Sequence, residues 1–203
     1  MGVIGELLFS GLGDPRRPAL SDLLRHYQQQ KTQDLTKGLS SAKFAQLTEV
    51  EIVAEIAGWL DFDPLCIDRE AATSDVRQAQ VEVNNINGLS IKVQGLKITK
   101  TFPFFGNPQL FDLKPSRYSL HCPYGTVDGQ KLTVGMEVRE EEEAAAVAHI
   151  KSTIGLVESC ISYQSAELEE HRAKLPELLL PLVQNRRRSA LMEDDVKRQL
   201  DAI

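Results

Sequence analysis

An apolar stripe at heptad-like spacing runs through the second half of the chain and constrains its fold more than any other feature. Val147, Ile150, Ile154, Val157 and Ile161 recur at steps of three, four, three and four, and Gln164, Leu168, His171 and Leu175 continue the phase. Apolar residues at that period line one face of a helix, and a sustained 3.5-residue repeat packs that face against another helix. A helix over residues 141–175 is about 50 Å long at roughly 1.5 Å per residue. That is several times the usual globular helix. The rest of the fold has to cover this face.

Pro176 predicts a break, or the start of a new helix at its tolerated first-turn position. Leu178, Leu179, Leu182 and Val183 form the next apolar patch despite Pro181, and Leu191, Val196 and Leu200 complete a helical tail. Two packings satisfy the stripe: an αα-hairpin with this tail, or pairing with its copy in a second chain. The tail has the shorter and less regular apolar face, which favours a homodimer. Val147, Ile150, Ile154, Val157, Ile161, Leu168 and Leu175 are therefore the expected interaction residues. Gln164 and His171 would set register at some cost in stability.

Upstream, the period changes. Ser21 predicts a cap for a short helix over residues 22–31. Thr48 and Glu51 have capping-box spacing ahead of Ile52, Val53, Ile56, Ala57 and Leu60, and Asp63-Pro64 stops that helix. Val81 to Ile86 and Leu89 to Val93 flank Asn87-Gly88, a type I′ hairpin signal. Gly95 suggests a bulge. A second hairpin is read around Asp128-Gly129, with Tyr118, Leu120 and Cys122 before it and Leu132, Val134, Met136 and Val138 after it. Such strands have one solvated face and need cover on the other, for which the helix near residues 48–60 is the candidate. Arg139 then leads into Glu140-Glu141-Glu142-Glu143, acidic residues suited to a helix N-terminus. The fold class predicted is α+β: a small antiparallel β-sheet of hairpins with a covering helix, followed by a long C-terminal helix or αα-hairpin. It divides into a body over residues 1–139 and a helical arm with a basic C-terminal helix over residues 140–203.

At 203 residues the chain can bury a sizeable core. No apolar run reaches the eighteen residues of a membrane span. The start, MGVIGELLFSGLGDPRRP, lacks the basic flank of a signal peptide, and Gly2 lacks the Ser or Thr of a myristoylation signal. Cys66, Cys122 and Cys160 are odd in number and far apart, which fits buried thiols in a reducing cytoplasm. A formal charge of -6 argues against general attraction to nucleic acid.

No catalytic motif of comparable strength is present. His26, His121, His149 and His171 are scattered, and His121 and Cys122 point to opposite faces if they share a strand. Gly11-Leu12-Gly13 lacks the strand and third glycine of a dinucleotide fingerprint, and there is no P-loop, zincin signature or nucleophile elbow. No cofactor, metal or catalytic residue is assigned. Asp61, Asp63, Asp68 and Glu70 are the best carboxylates for an alternative, a metal-dependent hydrolase or nuclease. Arg172, Lys174, Arg186, Arg187 and Arg188 form the basic segment a second alternative needs, a nucleic-acid sensor touching phosphates. Phe102, Phe104, Phe105, Phe111 and Tyr118, interrupted by Pro103, Pro108 and Pro115, read as anchors of a connection packed on the sheet. They are not interleaved with basic residues as a stacking platform would be.

The run from Thr101-Phe102-Pro103-Phe104-Phe105-Gly106-Asn107-Pro108 to Phe111, with Lys114-Pro115-Ser116 and Tyr118-Ser119-Leu120, resembles a segment of uncharacterised N-terminal modules in large bacterial proteins, some linked to antiphage defence. The tail, with Ala173-Lys174-Leu175-Pro176-Glu177-Leu178, Val183 and Arg186-Arg187-Arg188, extends the resemblance over residues 96–203. It implies a hairpin-rich region running into a long helix and a basic segment, placed before a nuclease-like or TIR-like effector domain. Such a domain is then expected after Ile203 or on a separate polypeptide. The function expected is a non-catalytic oligomerisation or regulatory module that positions an effector or partner.

Overall fold

A computed structural model of the chain describes residues 2–9, 19–84, 90–117 and 122–203. In chain order the elements are β1 (Gly2–Val3), β2 (Glu6–Leu7), α1 (Leu20–Lys37), α2 (Ser41–Gln46), α3 (Glu49–Trp59), β3 (Cys66–Ile67), β4 (Thr73–Asn84), β5 (Ser90–Phe105), β6 (Tyr124–Asp128), β7 (Lys131–Arg139) and α4 (Glu143–Asp201). This is the α+β class, with an antiparallel sheet and a long C-terminal helix. The chain forms two compact units, Met1–Leu20 with Asp63–Ser165, and Ser21–Phe62 with Ala166–Ile203. A boundary at residue 139 separates sheet from helix in sequence, but both units draw on α4.

The first unit is built on the sheet. Its strand path is β2-β6-β7-β5-β3, with β1 also on β7 and β4 also on β5. The β4–β5 hairpin is longer than the alternation near Asn87-Gly88 suggests: it pairs from Asn84↔Ser90 to Thr73↔Thr101. The expected turn residues, with Gly11-Leu12-Gly13, Pro15, Pro18, Tyr118, Leu120 and His121, lie outside the described residues. The second hairpin closes at Asp128↔Lys131, leaving Gly129 and Gln130 as the loop, with Gly129 at φ 55°. Its first strand starts after Pro123, at Tyr124, so Cys122 is not in it. No bulge occurs at Gly95, which stays in register with both Ala79 and Arg139. The glycine serves close packing instead: a Cβ there would lie 2.4 Å from the Val138 carbonyl oxygen.

One sheet face carries Ile98, Phe102, Phe104, Leu132, Val134, Met136 and Val138, all buried. After β5, the 3₁₀ turn Pro108–Asp112 is capped by the Asn107 side chain and buries Leu110 and Phe111. The Phe111 ring sits 5.0 Å from Phe104, edge-on, and 5.4 Å from Phe9. Phe102, Phe104 and Phe111 are thus anchors, whereas Phe105 is 67% exposed and Tyr118 lies outside the described residues. The acidic run forms a 3₁₀ turn, Glu140–Glu142, in which the Glu142 carboxylate accepts from the Arg139 backbone N–H, and α4 follows at once. On the first part of α4, Ala146, Ile150, Thr153, Ile154, Val157, Cys160, Ile161 and Gln164 are buried.

The second unit is helical. Thr48 and Glu51 form the expected capping box of α3, with the Thr48 side chain accepting from the Glu51 N–H and the Glu51 carboxylate from the Thr48 N–H. Ile52, Val53 and Ile56 of α3 pack with Leu39, Phe44, Leu60, Leu175, Leu179, Val183 and Ala190. So α3 covers its own unit's part of α4. The helix α1 starts at Leu20, one residue before the expected Ser21 cap, and runs to Lys37.

Pro176 does not break α4, nor does Pro181. Each proline removes one intrahelical N–H donor. Both lie on the exposed side, where water can serve the freed carbonyl, while Leu175, Leu179 and Val183 hold the opposite side in the core. The helix therefore continues, and no αα-hairpin forms between residues 141–175 and the tail.

Candidate functional site

The stripe expected to meet a second chain is covered by this one. Ile150, Ile154, Val157, Ile161, Leu168 and Leu175 are all buried, and only Val147 of that group is exposed, at 60%. Gln164, expected to set register between chains, is buried in the first unit. Its Nε2 donates to the carbonyl oxygens of Leu110 at 2.8 Å and Leu113 at 2.7 Å. The amide thus fixes the 3₁₀ segment against α4, using both its N–H bonds on backbone acceptors. Arg69 adds a paired hydrogen bond to Glu158 on the same helix. His171, in the second unit, is half-buried, and burial lowers its pKa below the ordinary imidazole value.

A second stripe, missed as a unit by the sequence reading, lies on the later part of α4. Leu178, Leu182, Met192, Val196 and Leu200 are between 44% and 68% exposed. At about 100° per residue they fall in one narrow arc, roughly a quarter-turn from the buried row Leu175, Leu179, Val183 and Ala190. Asn185 and Ser189 continue the arc between the two apolar groups and are also exposed. Beyond Ala190 none of the α4 side chains is buried. The sequence signal was there, a step of four, three, four, three and four through residues 178, 182, 185, 189, 192 and 196. The more continuous first stripe, and the prolines, hid it.

The basic segment resolves into separate pairs. Arg172 grips the Asp61 carboxylate with two hydrogen bonds of 2.9 and 2.8 Å. Lys174 pairs with Glu170 at 2.6 Å. Arg186 donates to the Leu39 carbonyl oxygen and pairs with Glu193 at 2.7 Å. Arg187 pairs with Glu49 at 2.9 Å, and Gln184 donates to the same carboxylate. The Arg187 hydrogen bond, helped by Gln184 and by the charges of Arg187 and Arg188, holds the Glu49 carboxyl below its usual value. Lys174 and Arg186 are paired within α4, Arg187 reaches α3 and Arg172 reaches the segment after α3, so these four cations are engaged singly.

The carboxylates do not converge either. Asp61 is engaged by Arg172, and Asp68 accepts from the backbone N–H groups of Glu70 and Ala71 in a local turn. Among the described residues no three His, Cys, Asp or Glu side chains are grouped to hold a metal ion. The three cysteines are free thiols; burial raises the Cys122 pKa and pushes the buried Cys160 thiol up to about 11. By length and composition one stretch of Glu140–Asp201 would suffice to cross a membrane, with 39% of it buried inside the protein. One packed and one solvated face is the pattern of an amphipathic surface helix.

No known family model, curated protein or solved structure matches this chain.

Proposed function

We propose that the chain is a non-catalytic interaction module whose assembly surface is the exposed arc of α4 at Leu178, Leu182, Met192, Val196 and Leu200. The observation that carries this reading is the contrast between the two stripes of one helix. The first is consumed in the chain's own core; the second is left in water. Exposed apolar groups on one helix face, here on either side of Asn185 and Ser189, are what helix-mediated interfaces are made from. A segment of about a dozen residues without tertiary packing is also only marginally helical by itself in water, so a partner covering residues 191–201 would stabilise it.

The protein held there is an effector or a further copy that brings effectors together by raising their effective concentration. The resemblance of residues 96–203 to modules of bacterial antiphage defence supports a nuclease-like or TIR-like effector, fused or separate. The three free thiols support a reducing, cytoplasmic setting.

The test is site-specific photocrosslinking in the native cells. A photoreactive residue at Val196 is expected to capture a discrete protein product, while one at buried Ile154 captures none. No product at Val196, or equal products at both positions, overturns the reading.

A further inference from the structure

Resting on the interaction-module reading, we propose that the exposed arc pairs with itself: two copies of this chain associate through a parallel, in-register helix pair over residues 178–200. The steps of four and three from Leu178 through Leu182, Asn185, Ser189, Met192 and Val196 give a seam of the two-stranded coiled-coil type. In that seam Leu178, Asn185 and Met192 occupy one alternating set and Leu182, Ser189 and Val196 the other. The flanking positions are then Pro181, Arg188 and Asp195 on one side, and Arg186, Glu193 and Leu200 on the other.

Charge complementarity selects a second copy as the occupant. In a parallel pair, a residue on the first flank meets the residue five further along on the second flank of the other helix. Arg188 of each copy therefore faces Glu193 of the other, giving two attractive contacts related by the dyad. The remaining flank contacts, Pro181 with Arg186 and Asp195 with Leu200, place no like charges together. An antiparallel pair sets each flank against itself and also joins opposite charges, Arg188 to Asp195 and Arg186 to Glu193, but it places Asn185 against Val196. Arg188 is exposed, and Glu193 is exposed while bonded to Arg186, so both can reach a second chain without unfolding the unit. Asn185 sets the direction. Two Asn185 side chains meet across the dyad only when the copies are parallel and in register, where each amide can donate to the other. A polar seam residue of this kind fixes register and oligomer number. The interface is isologous and closes at two copies.

The experiment is sedimentation velocity on the full chain over a concentration series, with Arg188→Glu, Glu193→Arg and their equimolar mixture. The wild type is expected to dimerise at tens of micromolar or below. Each reversal alone places like charges at both dyad contacts and weakens association by roughly tenfold or more. The mixture restores it, because in the mixed pair both contacts join opposite charges again. Thermal melts of each variant establish that the fold is intact. Should Glu193→Arg fail to fold, Arg188→Glu must still weaken the dimer, since it leaves the Arg186–Glu193 pair in place. A wild type that stays monomeric overturns self-pairing, and so does a dimer indifferent to both reversals or a mixture no stronger than its components. The photocrosslink separates the two claims: a Val196 product containing a different protein, with a monomeric purified chain, defeats self-pairing and leaves the module reading standing.

Discussion

Replacing Gln164 by leucine removes the two hydrogen bonds that join α4 to the 3₁₀ segment and nearly preserves volume. The Leu110 carbonyl oxygen keeps a second donor, the Leu113 N–H at 3.2 Å, so its loss is an ordinary hydrogen bond of about 1 kcal/mol. The Leu113 carbonyl oxygen, bonded to Gln164 at 2.7 Å, is left in the interior facing an apolar side chain, which costs about 1–3 kcal/mol. The expected destabilisation is therefore about 2–4 kcal/mol, with little cavity contribution because leucine fills the site. Urea unfolding followed by far-UV circular dichroism measures it, with the slope checked for constancy. Amide exchange in β5 and β7 should accelerate on the order of 30- to 900-fold if these amides open with the unit. Gln164→Glu should be worse still, since a carboxylate would face two acceptors. A loss below about 0.5 kcal/mol for the leucine variant would refute the view that Gln164 fastens this segment.

Gly95→Ala should cost about 1–3 kcal/mol in a thermal melt, because its Cβ meets the Val138 carbonyl oxygen at 2.4 Å in a strand paired on both sides. Thr48→Ala, which opens the α3 capping box, should lower stability by about 1 kcal/mol; fluorescence of Trp59, the one tryptophan, reports it from the same helix. With a thiol reagent near pH 8, exposed Cys66 should react first and Cys160, pushed up to about 11, only after unfolding. Because the folded pKa of Glu49 is depressed, its contribution is present above the unfolded value of 4.5 and is lost as pH falls through the folded one. Acid titration of unfolding should show this step in the wild type and a smaller one in Arg187→Ala.

What the sequence made legible were features that act locally. The Thr48–Glu51 box, the Asp128-Gly129 hairpin region and the acidic lead into α4 each need only a few neighbouring residues, and each is found in place. The 3.5-residue stripe was equally visible, but periodicity says that a face is covered and not by what. Its partners are distant in sequence: Leu110 and Leu113 for Gln164, and Ile52, Val53 and Ile56 for the core around Leu175. Pro176 misled for a related reason. Its cost is local, whereas the packing of Leu175, Leu179 and Val183 that outweighs it is tertiary. The basic run Arg186-Arg187-Arg188 resembled an anion site because its counter-charges, Glu49 and Glu193, come from another helix and from one to two turns further along.

The division of labour between the two stripes of α4 is tested most directly by urea unfolding of Ile154→Asp beside Val196→Asp, at concentrations below self-association. Ile154 is 6% exposed and Val196 is 55% exposed. Aspartate at position 154 buries a charge and should cost more than about 3 kcal/mol, while aspartate at position 196 should stay within about 0.5 kcal/mol of the wild type. Equal losses at the two positions, or a tolerated Ile154→Asp, would contradict the assignment of the first stripe to the core and the second to the surface.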